Sequence, residues 1–496
     1  MDAERERAAD GPAAVVFVPF PAQGHINPMI NMARALAARG VAVTVALADF
    51  IHRRFVGAGN ASGGDGVVLV SIPTGIPDDG GPGSDNPGFA SIQQAMEHHM
   101  PAHLERVLLR DMAGYRVACV VADVLASWAV DVAARCGVTA VGFWPAMAAS
   151  YLIVAATPEL LDKGLVSEAG VPLWTNGVYN GKSQVKVDLN RLLPAELELS
   201  TEELPWFSSD PAIQKSRFTF WLRTMERVKS LPCVLVNTFP GESTPAVVVS
   251  GYDLQHHQSK KPLVLPVGPL LSGLDQVEGN NLQGGSPAAK NISMWQADRS
   301  CMDWLDQQRP RSVTYVSFGS WVAPPAREEI TELALGLEAT GRPFLWVLKD
   351  DQTWRAGLPS RYEEAVAGRG MIIAWAPQED VLEHEAVGCY LTHCGWNSML
   401  EGVRHGVRLL GYPVSGDHFI NCAYITKVLK IGIRLRTTNR SDVEDCIRRI
   451  MEGEDGRRLQ EKVNEMRDMV MTGDGEARCI ATRNIRAFID GIIGHI

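Results

Sequence analysis

Short runs of apolar, β-branched residues alternate with helical patterns twice along this chain. That alternation restricts the fold to an α/β class built from doubly wound, mostly parallel sheets. Val15 to Phe20 reads as a buried first strand, followed by a glycine-containing loop, a helix over Met29 to Ala38 and a second strand over Val41 to Leu47. A helix between two such strands is the crossover of a parallel β-α-β unit. Val68 to Ile72, Val117 to Ala122, Ala140 to Phe143, Cys233 to Asn237 and Leu263 to Val267 continue the first series. A second series starts at Val313 to Phe318 and runs through a helix at Glu328 to Leu337, with strands at Phe344 to Leu348, Met371 to Ala374 and Cys389 to Thr392. Glu444 to Val470 is amphipathic and helical, with a break between Gly453 and Gly456.

Between the two series, Gly273 to Ala297 is polar and rich in Gly, Pro, Ser and Asn, the composition of a linker. Asp78 to Gly88 has the character of a long loop, and Leu152 to Trp221 is irregular with aromatic clusters at Leu204 to Phe207 and Phe218 to Trp221. The expected organisation is a first lobe over 13–268, a linker over 269–300, a second lobe over 301–475 and a final helix over 476–496. Two lobes of this kind place a ligand where the carboxyl ends of their strands face a shared cleft.

Basic and acidic residues number 47 and 57, a net charge of -10, which argues against nucleic acid or an anionic membrane surface as a partner. The segment from Met1 to Pro12 lacks the apolar core of a signal peptide, and no uncharged apolar stretch is long enough to span a membrane. Nine scattered cysteines form no tight framework and read as reduced thiols, so a cytoplasmic location is expected, with the chain acting as a monomer.

The densest chemistry lies in His393-Cys-Gly-Trp-Asn-Ser-Met-Leu-Glu401, between the strand pattern Val387 to Thr392 and a helix over Ser398 to Val403. A glycine turn at a helix start gathers backbone N–H groups and the positive dipole end at one point, which suits a phosphate. Gly395 allows close approach, Asn397 and Ser398 can cap and donate, and Glu401, one turn on, can accept from vicinal hydroxyls such as those of a ribose. An ordinary strand–turn–helix junction would look the same over this stretch alone. Trp375, at the end of the preceding strand, offers an indole on which a base could stack, and Gln378 could hydrogen-bond the base edge.

From Trp375 to His418 the chain resembles the signature box of the plant UDP-glycosyltransferases. The matching positions are Trp375, Ala376, Pro377, Gln378, Val381, Leu382, His384, Gly388, Thr392 to Ser398, Glu401, Gly406, Val407, Pro413, Asp417 and Asn421. The similarity extends from about Val15 to the C-terminal region. The resemblance implies the two-lobe GT-B architecture, with the last helix, around Glu476 to Asp490, returning to the first lobe. It also implies an inverting, metal-independent transfer of a hexose, glucose first, from a UDP-sugar to a small, largely apolar hydroxylated acceptor, with no cofactor.

His25, in Pro21-Ala-Gln-Gly-His-Ile-Asn-Pro28 after the first strand, stands where the family has its general base. A neutral imidazole there could take a proton from an acceptor hydroxyl. By itself, a loop histidine is more often a surface residue. Asp123, closing the strand Ala118 to Ala122, matches the family's partner to that histidine and could equally cap the following helix, read as Leu125 to Ala134.

For the departing diphosphate the candidate donors are His393, Asn397, Ser398 and Ser320, the last in a second glycine turn, Ser317-Phe-Gly-Ser320. Ala376 and Trp396 complete the UDP-binding set, and Trp396, Asp417 and His418 are expected around the sugar. His384, Cys389, His393 and Cys394 do not fit zinc spacing, and strand alternation would split them between faces. Three positions depart from the family pattern: His418 for the Gln associated with glucose, Pro145 for a hydroxyl residue near the sugar, and Arg408 for Pro. His418 therefore keeps UDP-galactose or another UDP-sugar open as the donor. Trp128, Trp144 and Met147 are candidates for the acceptor pocket, although such side chains are also ordinary core. A non-catalytic nucleotide-sugar binding protein is the competing class, disfavoured by the joint presence of His25 and Asp123. A Rossmann oxidoreductase is disfavoured because no Gly-x-Gly-x-x-Gly follows the first strand.

Overall fold

The computed structural model describes residues 11–59, 64, 66–77, 87–112, 114–173, 178–179, 182–183, 197, 199–239, 261–271, 291–320, 325–471 and 475–493. Most of the Asp78 to Gly88 loop, the central part of the expected linker, the first ten residues and much of the irregular region before residue 200 lie outside them.

The chain divides into two compact units, Met1–Leu173 with Ser209–Trp295 and Glu476–Ile496, and Trp174–Ser208 with Gln296–Gly475. In the first unit the strands are β1 (Ala13–Val18), β2 (Ala42–Ala48), β3 (Val67–Ile72), β4 (Arg116–Asp123), β5 (Thr139–Trp144), β8 (Cys233–Val236) and β9 (Leu263–Pro266). They form one sheet in the order β3-β2-β1-β4-β5-β8-β9, every pair parallel. The centre of that sheet is wholly buried, with Val15, Val16 and Phe17 on β1 and Cys119, Val120 and Val121 on β4 at 0% exposure. Burial on both faces explains why these strands read as continuous apolar runs rather than alternating ones. The order reverses between β1 and β4, so an opening lies outside the carboxyl ends of those two strands.

The helix after β1 spans Gln23–Ala37, starting well before the expected Met29. Gly24 reads by type as part of a loop, yet Ala22 takes an extended conformation and its carbonyl accepts from the N–H groups of His25 (2.9 Å) and Ile26 (3.0 Å). Pro28 sits inside the helix, where its ring contributes no N–H. The final helix, Glu476–Phe488, belongs to this unit: Asn484 Nδ2 donates to Pro266 O (2.7 Å), and Arg116 reaches Ile493 O (3.2 Å).

The second unit carries a six-stranded parallel sheet of β10 (Val313–Ser317), β11 (Phe344–Val347), β12 (Gly370–Ile373), β13 (Val387–Thr392), β14 (Arg408–Gly411) and β15 (Gly432–Arg434). Its order is β12-β11-β10-β13-β14-β15, with the reversal between β10 and β13. The last two strands were not read from the sequence. They are short, and buried Arg408 opens the first of them, its guanidinium donating to Gly388 O (3.0 Å) and Ile450 O (2.7 Å). A two-stranded hairpin, β6 (Val178–Tyr179) with β7 (Lys182–Ser183), lies in the 174–208 segment.

That segment belongs to the second unit, whereas the sequence reading put it in the first lobe. Ser200 and Glu203 form a reciprocal capping box there, and Glu203 also accepts from Arg434 of β15 (2.5 Å). No described helix is long and apolar enough to cross a membrane.

One face of the second sheet is covered by the helices Arg327–Ala339 and Arg440–Met451, which pack through Leu333, Leu337, Val443 and Ile447. Gly336 permits the close approach, since a Cβ there would lie 2.6 Å from Val443 Cβ. Gly336→Ala is accordingly expected to lower stability by about 1–3 kcal/mol through overpacking, read as a lower urea midpoint with an unchanged m value.

Candidate functional site

Two groups of side chains occupy the two strand-order reversals, one in each unit. In the first unit, Asp123 closes β4 and is completely buried. Its Oδ2 lies 2.8 Å from His25 Nδ1, and its Oδ1 accepts from Leu125 N (2.9 Å), capping the 3-10 turn Val124–Ala126 ahead of the Trp128–Cys136 helix. The carboxylate thus pairs with the imidazole and caps the turn, and the helix itself starts at Trp128 rather than at the expected Leu125. A neutral His25 ring held in this way carries its proton on Nδ1 and presents the Nε2 lone pair, the form needed to accept a proton. His25 occupies the third position of its helix rather than a loop, so backbone hydrogen bonds fix its direction.

Aromatic rings continue from the histidine. Phe20 lies 5.2 Å from the His25 ring and 6.3 Å from Phe89; Phe89 meets Phe220 edge-on at 5.2 Å, and Phe220 meets Trp221 at 5.5 Å. Phe89 is 38% exposed, an unusual placement for a phenylalanine. Trp128, Trp144 and Met147, expected in an acceptor pocket, are instead core residues at 3%, 5% and 0% exposure. The Trp144 indole N–H is already occupied by Met147 O and Ser150 Oγ, each at 3.1 Å. Phe20 is itself buried at 4% exposure, and Phe89 is the exposed aromatic residue in this series that the sequence reading did not single out.

In the second unit, β13 ends at Thr392 and leads through His393 and Cys394, the latter in the left-handed region at φ 66°, to Gly395. Gly395 is the N-cap of the Trp396–Arg404 helix, so Asn397 and Ser398 stand in its first turn instead of capping it. The first α-helical backbone bond runs from Met399 N to Gly395 O (3.0 Å), so the N–H groups of Trp396, Asn397 and Ser398 point out of the helix start. The turn after β10 comes up to the same histidine. A Cβ at Gly319 (φ +79°) would lie 2.7 Å from His393 Nε2, and one at Gly395 would lie 2.4 Å away. Two glycine turns thus bring backbone against one imidazole, and Ser320 follows directly after Gly319.

Burial, together with neighbouring His418, pushes the His393 imidazole down to about 3. Its Nδ1 is buried with no hydrogen-bond partner among the described residues. Burial likewise lowers His418 to about 4. The two rings meet edge to face at 4.8 Å. His418 Nδ1 accepts from Ser415 N (3.3 Å), which leaves the proton of the neutral ring on Nε2. Asp417 Oδ2 accepts from Asn421 Nδ2 (2.9 Å), and the same amide donates to Cys394 O (3.0 Å). Fully buried Asn421 therefore ties the Asp417–His418 pair to the Cys394–Gly395 turn, a link that spacing alone did not disclose.

Trp375 follows β12 and holds Asp298 N through its carbonyl (2.8 Å); Ala376 and Trp396 are buried at 5% and 4% exposure. Glu401 is 8% exposed and Ser398 9%. Gln378 departs from its expected contact with a base edge. Its carbonyl oxygen accepts from Tyr315 (3.2 Å) and Tyr390 (3.0 Å), while its amide nitrogen donates to Ser398 Oγ (3.1 Å) and Glu401 Oε2 (2.7 Å). A carboxamide has no further hydrogen-bonding capacity. Among the described residues no three His, Cys, Asp or Glu side chains gather as a metal site, and His384 is held by Asp306 (3.1 Å).

Both histidines of the donor-side cluster have folded values below the ordinary 6.5, so the unfolded chain binds more protons between about 4 and 6.5. Stability is then complete above that window and declines as the pH falls through it. His418→Gln removes one such group and should flatten the decline by up to about 1.4 kcal/mol per pH unit in urea titrations across the window. Equal slopes for the two proteins would contradict the assignment.

The family described as UDP-glucoronosyl and UDP-glucosyl transferase matches residues 293–466, and a glycosyltransferase N-terminal domain matches residues 12–57. UDP-glycosyltransferase 82A1 of Arabidopsis thaliana is 42% identical over 95% of this chain and 96% of its own length. Os79 from O. sativa in complex with UDP superposes with a TM-score of 0.74 at 26% identity, covering 95% of this chain and all of that one. A UDP-glucosyltransferase from Polygonum tinctorium capable of glucosylating indoxyl gives 0.72 at 27% identity, covering 96% of this chain and 99% of that one. The two parallel sheets are the Rossmann-like lobes of a GT-B fold, and the chain belongs to the plant UDP-glycosyltransferases, enzymes that move sugar from a UDP-sugar to an acceptor.

Proposed function

We propose that this enzyme transfers a hexose, glucose by preference, with inversion and without a metal, to a hydroxyl group of a small, largely apolar acceptor. The observation that carries the reading is the 2.8 Å contact between His25 Nδ1 and completely buried Asp123. In the step, His25 Nε2 takes the proton of the acceptor O–H as that oxygen bonds to the anomeric carbon. The bond from that carbon to the β-phosphate oxygen breaks, and its electron pair leaves with UDP. Asp123 stabilises the imidazolium as it forms. Attack opposite UDP turns an α-linked donor into a β-glycoside.

The donor is assigned to the second unit, with uracil on Trp375 beside Ala376 and ribose at Glu401. The diphosphate is assigned to His393, Gly395, Asn397, Ser398 and Ser320. Backbone N–H groups at a helix start and a histidine kept neutral by burial supply fixed dipoles, and these support catalysis without a cation. Trp396, Asp417 and His418 take the sugar. The His418 Nε2–H donates only, whereas the Gln usual with glucose both donates and accepts. This single-donor character supports UDP-galactose as a second reading, and turnover of several UDP-sugars by wild type and His418→Gln separates the two.

On the acceptor side, the ring series from His25 through Phe20 to Phe89 supports a flat aromatic or lipophilic alcohol. The relative from Polygonum tinctorium, which glucosylates indoxyl, acts on a molecule of that kind. All nine cysteines are free thiols, which supports the cytoplasm as the place of action.

His25→Ala should lower kcat for glycosylation of phenols by roughly a hundredfold to ten-thousandfold while UDP binding persists. Transfer at the wild-type rate by that variant, measured as UDP release, would remove the assigned base and leave a binding protein as the better description. Phe89→Ala should raise KM for aromatic acceptors about threefold to tenfold, with KM for the UDP-sugar unchanged.

A further inference from the structure

The two most deeply buried phenols beside the nucleotide-binding residues have no place in the transfer step. Tyr315 on β10 and Tyr390 on β13 are register partners across the strand-order reversal, with 1% and 0% exposure. Their rings stack at 4.9 Å with planes 28° apart. Each strand continues two residues beyond its tyrosine, to Ser317 and Thr392, before the two glycine turns begin. Burial raises both phenols above their ordinary value, so each remains an O–H donor at any physiological pH.

Both O–H groups end on one atom, Gln378 Oε1, at 3.2 and 3.0 Å. That oxygen has two lone pairs, and both are filled. The amide nitrogen is thereby directed to the other side, where it donates to Ser398 Oγ and Glu401 Oε2. A reversed amide would set its carbonyl against the Glu401 carboxylate and leave the phenols facing N–H groups. The sheet, two phenols, one carboxamide and two side chains on the next helix thus form a continuous series of directed hydrogen bonds.

We propose that Tyr315 and Tyr390 are positioning residues for nucleotide recognition, locking the Gln378 amide so that it aims the Glu401 carboxylate at the ribose diol. The proposal rests on Glu401 as the acceptor of that diol. The tyrosines are assigned no contact with substrate and act through Gln378, while the hydroxyls of Ser317, Thr392 and Ser398 also face the phenols. Their loss is expected to weaken the part of binding that depends on the two ribose hydroxyls and to leave the rest intact.

The test compares calorimetric binding of UDP and of 2′,3′-dideoxy-UDP to full-length protein. Wild type should prefer UDP. In Tyr315→Phe/Tyr390→Phe the UDP affinity should fall about tenfold, with the dideoxy affinity within about twofold of wild type, so the preference largely disappears. The kinetic loss should fall on KM for the UDP-sugar rather than on kcat, and Gln378→Ala should reproduce the same pattern. Each single variant keeps one phenol and should lose about threefold, which gives the same comparison if the double variant does not fold. A variant that keeps the full preference, or loses affinity for both ligands equally, would overturn the proposal. Wild-type protein that binds UDP without preferring it over the dideoxy analogue would overturn the Glu401 assignment beneath it.

Discussion

Reversal of strand order in a parallel sheet is the constraint on which both sites depend. Neighbouring crossovers leave in opposite directions at that point, so the carboxyl ends of the two central strands are left uncovered. In the first unit those strands are β1 and β4, and they deliver His25 and Asp123. In the second they are β10 and β13, and they deliver the two glycine turns around His393. Polar side chains elsewhere along these strands would be sealed inside the apolar layers. At their ends, the same residues are anchored by the sheet beside the openings that the two reversals leave.

Different physical means hold the two groups. The dyad depends on one charge-assisted hydrogen bond between a buried carboxylate and an imidazole that is still partly exposed. The donor-side group depends on neutrality and on amide nitrogens that each donate twice within the protein, with two histidines kept uncharged by burial. Gln378 and Asn421 resemble each other in this respect. Each joins the turn or helix after β13 to a neighbouring element, one through Ser398 and Glu401, the other through Cys394 and Asp417. A network of this type tolerates few substitutions, because removing one partner leaves a buried polar atom unsatisfied.

Strand existence and type were legible for the long apolar runs, since burial on both faces marks them strongly. The helix start at Gln23 was not, because Gly24 and Pro28 carry breaker signals that tertiary packing overrides. Asn397 and Ser398 are good caps by type, but Gly395 already occupies the N-cap. The Trp375 to His418 motif picked out residues that lie on or beside the strand–turn–helix unit opened by β13, because their spacing follows that unit. Aromatic residues gave no comparable guide. Trp144 and Phe89 are equally apolar in sequence, and only the fold shows that one is core and the other is exposed beside Phe20. Tyr315 and Tyr390 lie 75 positions apart, and their meeting depends on register between parallel strands, which no local pattern encodes.

The proposed donor site holds a nucleotide diphosphate at the turn after β13 and its ribose at Glu401. A crystal structure of the protein soaked with UDP tests it directly. Uracil against the Trp375 indole, ribose hydroxyls on Glu401 and phosphates at the Trp396–Arg404 helix start are the predicted result. UDP bound only beside His25, or with its ribose turned away from Glu401, would contradict the account.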